Sequence, residues 1–229
     1  MNEKVLIIGA GHGLSTSIAR LFAAKGMKVG LAARNIEKLA ALADEIGAST
    51  FTCDASDPDA VVGLFKAFDT DIGCPDILVY NPSSRVRGPI TEIDAAATKD
   101  ALMVSAYGAF LAAQQAAIRM LKAGSGTMLF TGASAGVKGY PRSASFAMGK
   151  FALRGLCQSL ARELSPQNIH VAHFVIDGHI HNKQRDEPQS DPATSLDPDD
   201  IAKSYLHIAR QNPSAWTWEI ELRPSVETF

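Results

Sequence analysis

At 229 residues, with 46% hydrophobic and 20% charged side chains, the chain has the balance of an ordinary globular protein and enough length to bury a core without staples. Its 22 basic and 24 acidic residues leave a net charge of −2 with no block of like charge, a pattern that argues against a nucleic-acid or membrane surface. Cys53, Cys74 and Cys157 form no Cys-x-x-Cys pair and read as reduced packing residues of a cytoplasmic protein, and no signal-peptide core or apolar run of membrane-spanning length stands out.

Strand-like apolar runs alternate with helix-period segments along the chain. Val5, Leu6, Ile7 and Ile8 form a first strand closed by Gly9; unbroken apolarity is what a strand covered on both faces of a parallel sheet requires. Ile18, Leu21, Phe22 and Lys25 recur at helical spacing, and Gly26 ends that helix. Residues 28–32 form strand two. Ile36, Leu39, Ala40, Ala43 and Ile46 share a helix face stopped by Gly47, and 49–52 is a third strand. Asp57 with Pro58 opens a helix by capping and by proline's preference for the first helical position; Val61, Val62, Leu64, Phe65 and Phe68 are its apolar residues. Strand four is 77–80. A long helix covers 94–122, strand five 127–131, a second long helix 142–164 and strand six 169–176. The stretch 178–199, with three prolines and many polar residues, reads as a loop of the length that covers sites. A last helix begins at Pro198 and reaches 211, and 216–222 is a seventh strand. This order predicts one domain over 1–229: a doubly wound, mainly parallel seven-stranded sheet with helices on both faces.

The candidate site begins at the first strand-to-helix turn, Gly9-Ala10-Gly11-His12-Gly13-Leu14-Ser15. Glycines there permit a tight turn and close approach of a pyrophosphate to backbone N–H groups at a helix N-terminus. Strand two ends in Ala33-Arg34. An acidic residue at that strand end would receive the ribose 2′-hydroxyl of NAD; alanine followed by arginine suits a 2′-phosphate instead. NADP(H) is therefore expected over NAD(H). His12 either adds a polar contact or is an exposed turn histidine. Asp54, after strand three, either lies beside the adenine or is a turn carboxylate next to Ser56 and Asp57.

These features together resemble the short-chain dehydrogenase/reductase family over nearly the whole length. The family's Gly-x-x-x-Gly-x-Gly is matched by Gly9 and Gly13, with Ser15 in the third place, where its hydroxyl is expected to cap the helix. The family's Asn-Asn-Ala-Gly after strand four resembles Tyr80-Asn81-Pro82-Ser83, in which Asn81 is retained. The resemblance implies an Asn, Ser, Tyr and Lys as working residues, with Tyr-x-x-x-Lys matched by Phe146-Ala147-Met148-Gly149-Lys150. Lys150 is retained and implied to bond the nicotinamide ribose; Phe146 stands in the tyrosine's place. Ser105 takes the place of the family's Asn. Ala133 takes that of the Ser, with Ser134 beside it, and Asp177-Gly178 replaces the family's Pro-Gly.

The expected function is that of an NADP(H)-dependent oxidoreductase of a small carbonyl or alcohol substrate with an atypical site. Tyr140, Ser143, Ser134 and His179 are the substitute proton donors to weigh. The alternative is a catalytically silent NADP(H)-binding sensor or scaffold. The 178–199 loop, with His179, His181 and Arg185, is expected to cover the substrate. No metal is expected, since His179 and His181 alone are too few ligands. The resemblance implies a homodimer or homotetramer built through the two long helices and the last strand.

Overall fold

A computed structural model of the chain describes residues 2–181 and 194–227. Seven strands form one sheet in the order β3-β2-β1-β4-β5-β6-β7: β1 (Lys4–Ile8), β2 (Lys28–Ala33), β3 (Ser49–Thr52), β4 (Ile77–Tyr80), β5 (Gly126–Thr131), β6 (Ile169–Ile176) and β7 (Glu219–Leu222). Every pairing is parallel, so all seven strands end at the same edge. The helices are α1 (Leu14–Ala24), α2 (Ala40–Ile46), α3 (Pro58–Asp71), α4 (Ala95–Leu102), α5 (Gly108–Ala123), α6 (Ala144–Leu164) and α7 (Pro198–Ala209). The doubly wound fold expected from the alternation is the one observed.

The pleat divides the strand residues between two cores. Leu6, Ile8, Leu78, Tyr80, Met128 and Phe130 point to one face, where α3, α5 and α6 supply Phe65, Phe68, Ala112, Ala116, Leu153 and Cys157. Their neighbours Val5, Ile7, Val79, Leu129 and Phe174 point to the other, against α1, α2 and α7 with Ile18, Phe22, Leu42, Ile201 and Tyr205. This two-sided burial is why the strands are apolar at successive positions. Each fully buried aliphatic or phenylalanine side chain contributes roughly 1.5–3 kcal/mol.

Element ends depart from expectation where side chains and short turns intervene. Asp57 caps α3, accepting from the N–H groups of Asp59 and Ala60. The second helix opens as a 3₁₀ turn, Glu37–Leu39. The seventh strand starts at Glu219, not 216, because a 3₁₀ turn at Pro213–Ala215 precedes it and Gln211 holds Thr217 through its side chain. Cys53 and Cys157 are buried as packing residues, whereas Cys74 is exposed. Residues 182–193, the middle of the expected covering loop with Arg185, lie outside the described residues; its flanks meet in a bridge between Ile180 and Leu196.

The long helix is not uniform. Asp94 caps α4 by accepting from the Ala97 N–H at 2.6 Å. A π turn, Met103–Tyr107, then separates α4 from α5. Tyr80 donates its hydroxyl proton to the Val104 carbonyl inside that turn, at 2.6 Å. At Gly108 the helix passes against the Ala55 carbonyl and the Tyr80 hydroxyl so closely that any side chain would collide. The expectation that no segment has membrane-spanning length needs correction: residues 101–118 carry no charge, and the helical segment Ala95–Ala123 is long and apolar enough by length and composition to cross a membrane. In this fold its apolar residues divide between the core, with Ala109, Ala112, Ala113, Ala116 and Met120, and an outward stripe of Tyr107, Phe110, Ile118 and Leu121.

Candidate active site

The sheet order reverses between β1 and β4, and a crevice opens beyond the carboxyl ends of the strands at such a point. Here it is a cleft of about 1040 Å³ lined from the β1–α1 turn, the loop after β4, the loop after β5, α6 and the segment after β6. The cleft gathers the candidate residues His12, Gly13, Leu14, Asn81, Ser134, Tyr140, Ser143, Lys150, His179 and His181, which the sequence spreads over five separate segments. Gly9, Gly11, Arg34, Asp54 and Ser105 do not line it.

The β1–α1 turn has the features of an anion cradle. Gly9 (φ 78°) and Gly13 (φ 102°) both lie at positive φ, a region that costs a residue with a Cβ roughly 1–2 kcal/mol. A Cβ on Gly9 would also sit 2.6 Å from the Pro82 nitrogen, while nothing lies within 4 Å of one built on Gly11. No side chain caps the α1 N-terminus, so the positive end of the helix faces the turn. The expected cap by Ser15 is therefore corrected: Ser15 lies inside α1, buried. Its hydroxyl donates to the Gly9 carbonyl at 3.0 Å and accepts from Asn81 Nδ2 at 2.6 Å. Thr16 donates to the Gly11 carbonyl at 2.9 Å. The serine in the third glycine place ties the turn to the end of β4.

Arg34 is exposed at the end of β2, close enough to Asp54 to help hold that carboxyl below its ordinary value; the larger cause is Ser56, whose hydroxyl and N–H both donate to it. The turn-carboxylate reading of Asp54 accordingly describes its bonding. His12 is exposed at the rim.

Lys150 lies on α6 with 2% of its surface exposed and donates to the Thr131 carbonyl at 2.8 Å. Burial, and then repulsion from Arg85, push its ammonium pKa down to about 8. Four residues earlier on the same helix, Phe146 packs with Ala133 and Ala135 in a small buried cluster. The Arg85 guanidinium stacks over the Phe146 ring, 4.2 Å from its centroid. Ser143 is the residue before α6, buried and making no side-chain cap bond. Tyr140 stands exposed on the loop after β5, with Lys138 beside its ring. Ser105 is turned away: its Oγ accepts from the Ser84 N–H at 3.3 Å and its Cβ packs where a side chain on Gly149 would go. It positions the loop after β4 and the crossing of the π turn with α6.

Residues not singled out from the sequence also line the cleft, above all Arg85, Arg87 and Arg142. Asp177, 4% exposed, is paired with Arg223 at 2.9 Å and Lys138 at 3.5 Å, which is how a carboxylate is accommodated in the family's Pro-Gly place. Among the described residues no group of three or more His, Cys, Asp and Glu side chains is arranged to hold a metal ion.

Residues 3–183 match the family model described as short chain dehydrogenase. Carbonyl reductase family member 4 of Xenopus tropicalis is 26% identical over 216 residues, covering 91% of each chain. A short-chain dehydrogenase structure from Rhodopseudomonas palustris superposes with a TM-score of 0.84 at 35% identity, covering 98% of this chain and 99% of that one. An alcohol dehydrogenase from Thermococcus sibiricus, complexed with 5-hydroxy-NADP, has the same fold, with a TM-score of 0.89 at 20% identity over 100% of this chain and 99% of that one. With the sheet order, the cleft at its reversal and a family match over most of its length, the chain belongs to the short chain dehydrogenase family.

Proposed function

We propose that the protein is an NADP(H)-dependent oxidoreductase of a small carbonyl or alcohol compound, with Phe146 in the place of the family's proton-donating tyrosine. The observation that carries this reading is that the uncapped α1 N-terminus with its glycine turn and the buried Lys150 open into one cleft. The turn, with open space over Gly11, fits a dinucleotide pyrophosphate. Gly9, Gly11, His12, Gly13, Leu14, Arg34, Asp54, Asn81 and Lys150 are the residues assigned to the cofactor. When bound, a nicotinamide cofactor supplies or accepts the hydride. A cofactor with a 2′-phosphate in a structural relative, the 5-hydroxy-NADP complex, is in keeping with Arg34.

The chain's own part is to hold the substrate oxygen and move one proton to or from it. Lys150, held by the Thr131 carbonyl, keeps its charge at neutral pH and stabilises negative charge developing near it. Ser134, Tyr140 and Ser143 all line the cleft and are the hydroxyls assigned to proton transfer, with Ser105 as a positioning residue for the loop that carries Arg85. A second reading is favoured by one observation: Ala133, Ala135 and Phe146 make an apolar cluster where the family's Ser and Tyr would stand. On that reading the protein binds NADP(H) without turnover, as a sensor or scaffold.

Titration with NADPH and NADH, followed through tryptophan fluorescence or heat, separates these readings from none. NADPH is expected to bind the more tightly, and Arg34→Ala to weaken NADPH binding about tenfold, one charge-assisted bond's worth, while leaving NADH unchanged. Equal loss for both nucleotides would remove Arg34 from the 2′-phosphate. NADPH oxidation with a carbonyl panel then decides between enzyme and silent binder.

A homodimer or homotetramer is proposed through the outward stripe of Phe110, Ile118 and Leu121 on α5 with Met148 and Phe151 on α6, all exposed. Phe110→Glu combined with Phe151→Glu is expected to lower the mass measured by light scattering to that of a smaller assembly; an unchanged mass would place the interface elsewhere.

A further inference from the structure

We propose that the substrate of this cleft is an anion, a carbonyl or alcohol compound whose carboxylate or phosphate is held by Arg85, Arg87 and Arg142. This deepens the oxidoreductase reading and rests on it. The loops after β4 and β5 are stitched together by one backbone bond, the Gly88 N–H donating to the Arg142 carbonyl at 3.1 Å. That bond sets Arg142 beside the residue that follows Arg87, and Arg85, Arg87 and Arg142 all line the cleft. Arg142 is held at φ 61°, a left-handed conformation that an arginine adopts only when its surroundings impose it. Arg85 is steered by the Phe146 ring, over which it stacks.

The charges do not cancel. Arg85, Arg87, Arg142 and Lys150 line the cleft against two carboxylates, Asp177 and Glu227. Asp177 is already engaged by Arg223 and Lys138. Among the described residues none of the three arginines has an ion-pair partner. Burial first, and then Arg87, raise the energy of the charged Arg85, and burial first, and then Arg85, that of the charged Lys150, so Arg85 stands between two cations that both repel it. An anion seated among them would relieve that repulsion and accept paired N–H bonds from planar guanidinium groups, the geometry that carboxylate and phosphate share. Substitution of the family's tyrosine by phenylalanine fits the same arrangement, since an apolar ring face is what Arg85 rests on.

The test is calorimetric binding to the NADPH-loaded protein of three probes: levulinate, dihydroxyacetone phosphate and the neutral pentan-2-one. At least one anion is expected to bind tenfold or more tightly than the ketone, with that advantage shrinking as salt is raised. Arg85→Gln and Arg87→Gln are expected each to remove most of it. Arg142→Gly, which keeps the left-handed backbone accessible, tests the third guanidinium without strain. The preferred anion tells carboxylate from phosphate. Equal affinity for all three probes, or an advantage that survives loss of the arginines, would overturn the proposal. NADPH binding is recorded separately, and the probes are also titrated into the nucleotide-free protein: if NADPH binding fails while arginine-dependent anion binding persists, the oxidoreductase reading falls and the anion site stands.

Discussion

Lys150→Met is expected to yield a protein that unfolds at a higher temperature and has lost its turnover. The wild-type lysine is 2% exposed, its ammonium donates to the Thr131 carbonyl, and it has no ion-pair partner among the described residues. Its pKa falls from 10.5 to about 8, so below pH 8 the folded state carries a penalty of about 3 kcal/mol relative to the unfolded chain. The sign follows from proton counts: between pH 8 and 10.5 the unfolded lysine is protonated and the folded one is not, so wild-type stability rises with pH through that window. Methionine, of similar length, removes the penalty and leaves the Thr131 carbonyl without its donor, which costs about 1 kcal/mol. The net gain at pH 7 is about 2 kcal/mol, or roughly 4–8 °C in Tm. It shrinks toward pH 10.5. Turnover is expected to fall by about 10²–10³-fold, the effect of losing one preorganised charge-stabilising group. Thermal melts at pH 7 and pH 10, run beside NADPH oxidation, check both halves. A variant that melts lower at pH 7 would show that Lys150 is held by more than its burial allows.

The opposite effect is expected at Glu219 on β7. Its carboxylate receives both arms of Arg154 from α6, at 2.6 and 2.7 Å, and Nδ1 of His173 from β6 at 3.1 Å. Three elements meet on one side chain, and Glu219→Ala would strand the other two. His173 is fully buried and its Nε2 has no partner, so little solvent is at hand to compensate. Arg154 keeps part of its hydration, which moderates the loss to about 2–3 kcal/mol, or roughly 5–10 °C. The same cluster sets an acid limit. Burial pushes the His173 pKa from 6.5 down to about 4, against the pull of Glu219. The unfolded histidine takes up a proton in that window and the folded one does not, so stability is lost as pH falls from 6.5 toward 4, by about 1.4 kcal/mol per pH unit. Glu219, held low by Arg154 first and then by His173, adds a loss of the same sign at lower pH. Urea melts from pH 7 to 4.5 measure the slope, and His173→Asn should flatten it; an unchanged slope in that variant would assign the acid sensitivity to other groups.

The fold was legible because its signals are local and repeated. Val5 to Ile8 had to be covered on both sides, and Asp57-Pro58 had to begin a helix. Glycine between a first strand and a first helix is a strong mark, and the residues gathered from that turn, from Asn81 and from Lys150 do share a cleft. What could not be read depends on contacts between distant segments. Nothing local distinguishes a serine that caps from one that bonds Gly9 and Asn81. Ser105 was legible as a residue in the family's asparagine place, but its direction depends on the π turn, which has no sequence signature. The arginine wall depends on the Gly88–Arg142 bond between two loops, and Arg85-Val86-Arg87 in isolation reads as a solvated loop. The seventh strand reads three residues too early from the sequence, at 216, because aromatic Trp216 and Trp218 carry strand propensity, while the preceding Pro213 turn and the Gln211 bonds displace the pairing to Glu219.

The order of strands also sets a schedule for the growing chain. Lys4 pairs with Lys28 across two dozen positions, whereas Val5 meets Ile77 three times farther along. Closing the longer loop costs only about 1 kcal/mol more in entropy, so timing weighs more than free energy. As the chain emerges from the ribosome, β1, β2 and β3 can assemble before β4 exists. In that interval one side of β1 is an open edge. The bond from Asn81 to Ser15 marks the moment at which β4 closes that edge and the cofactor turn acquires its second wall.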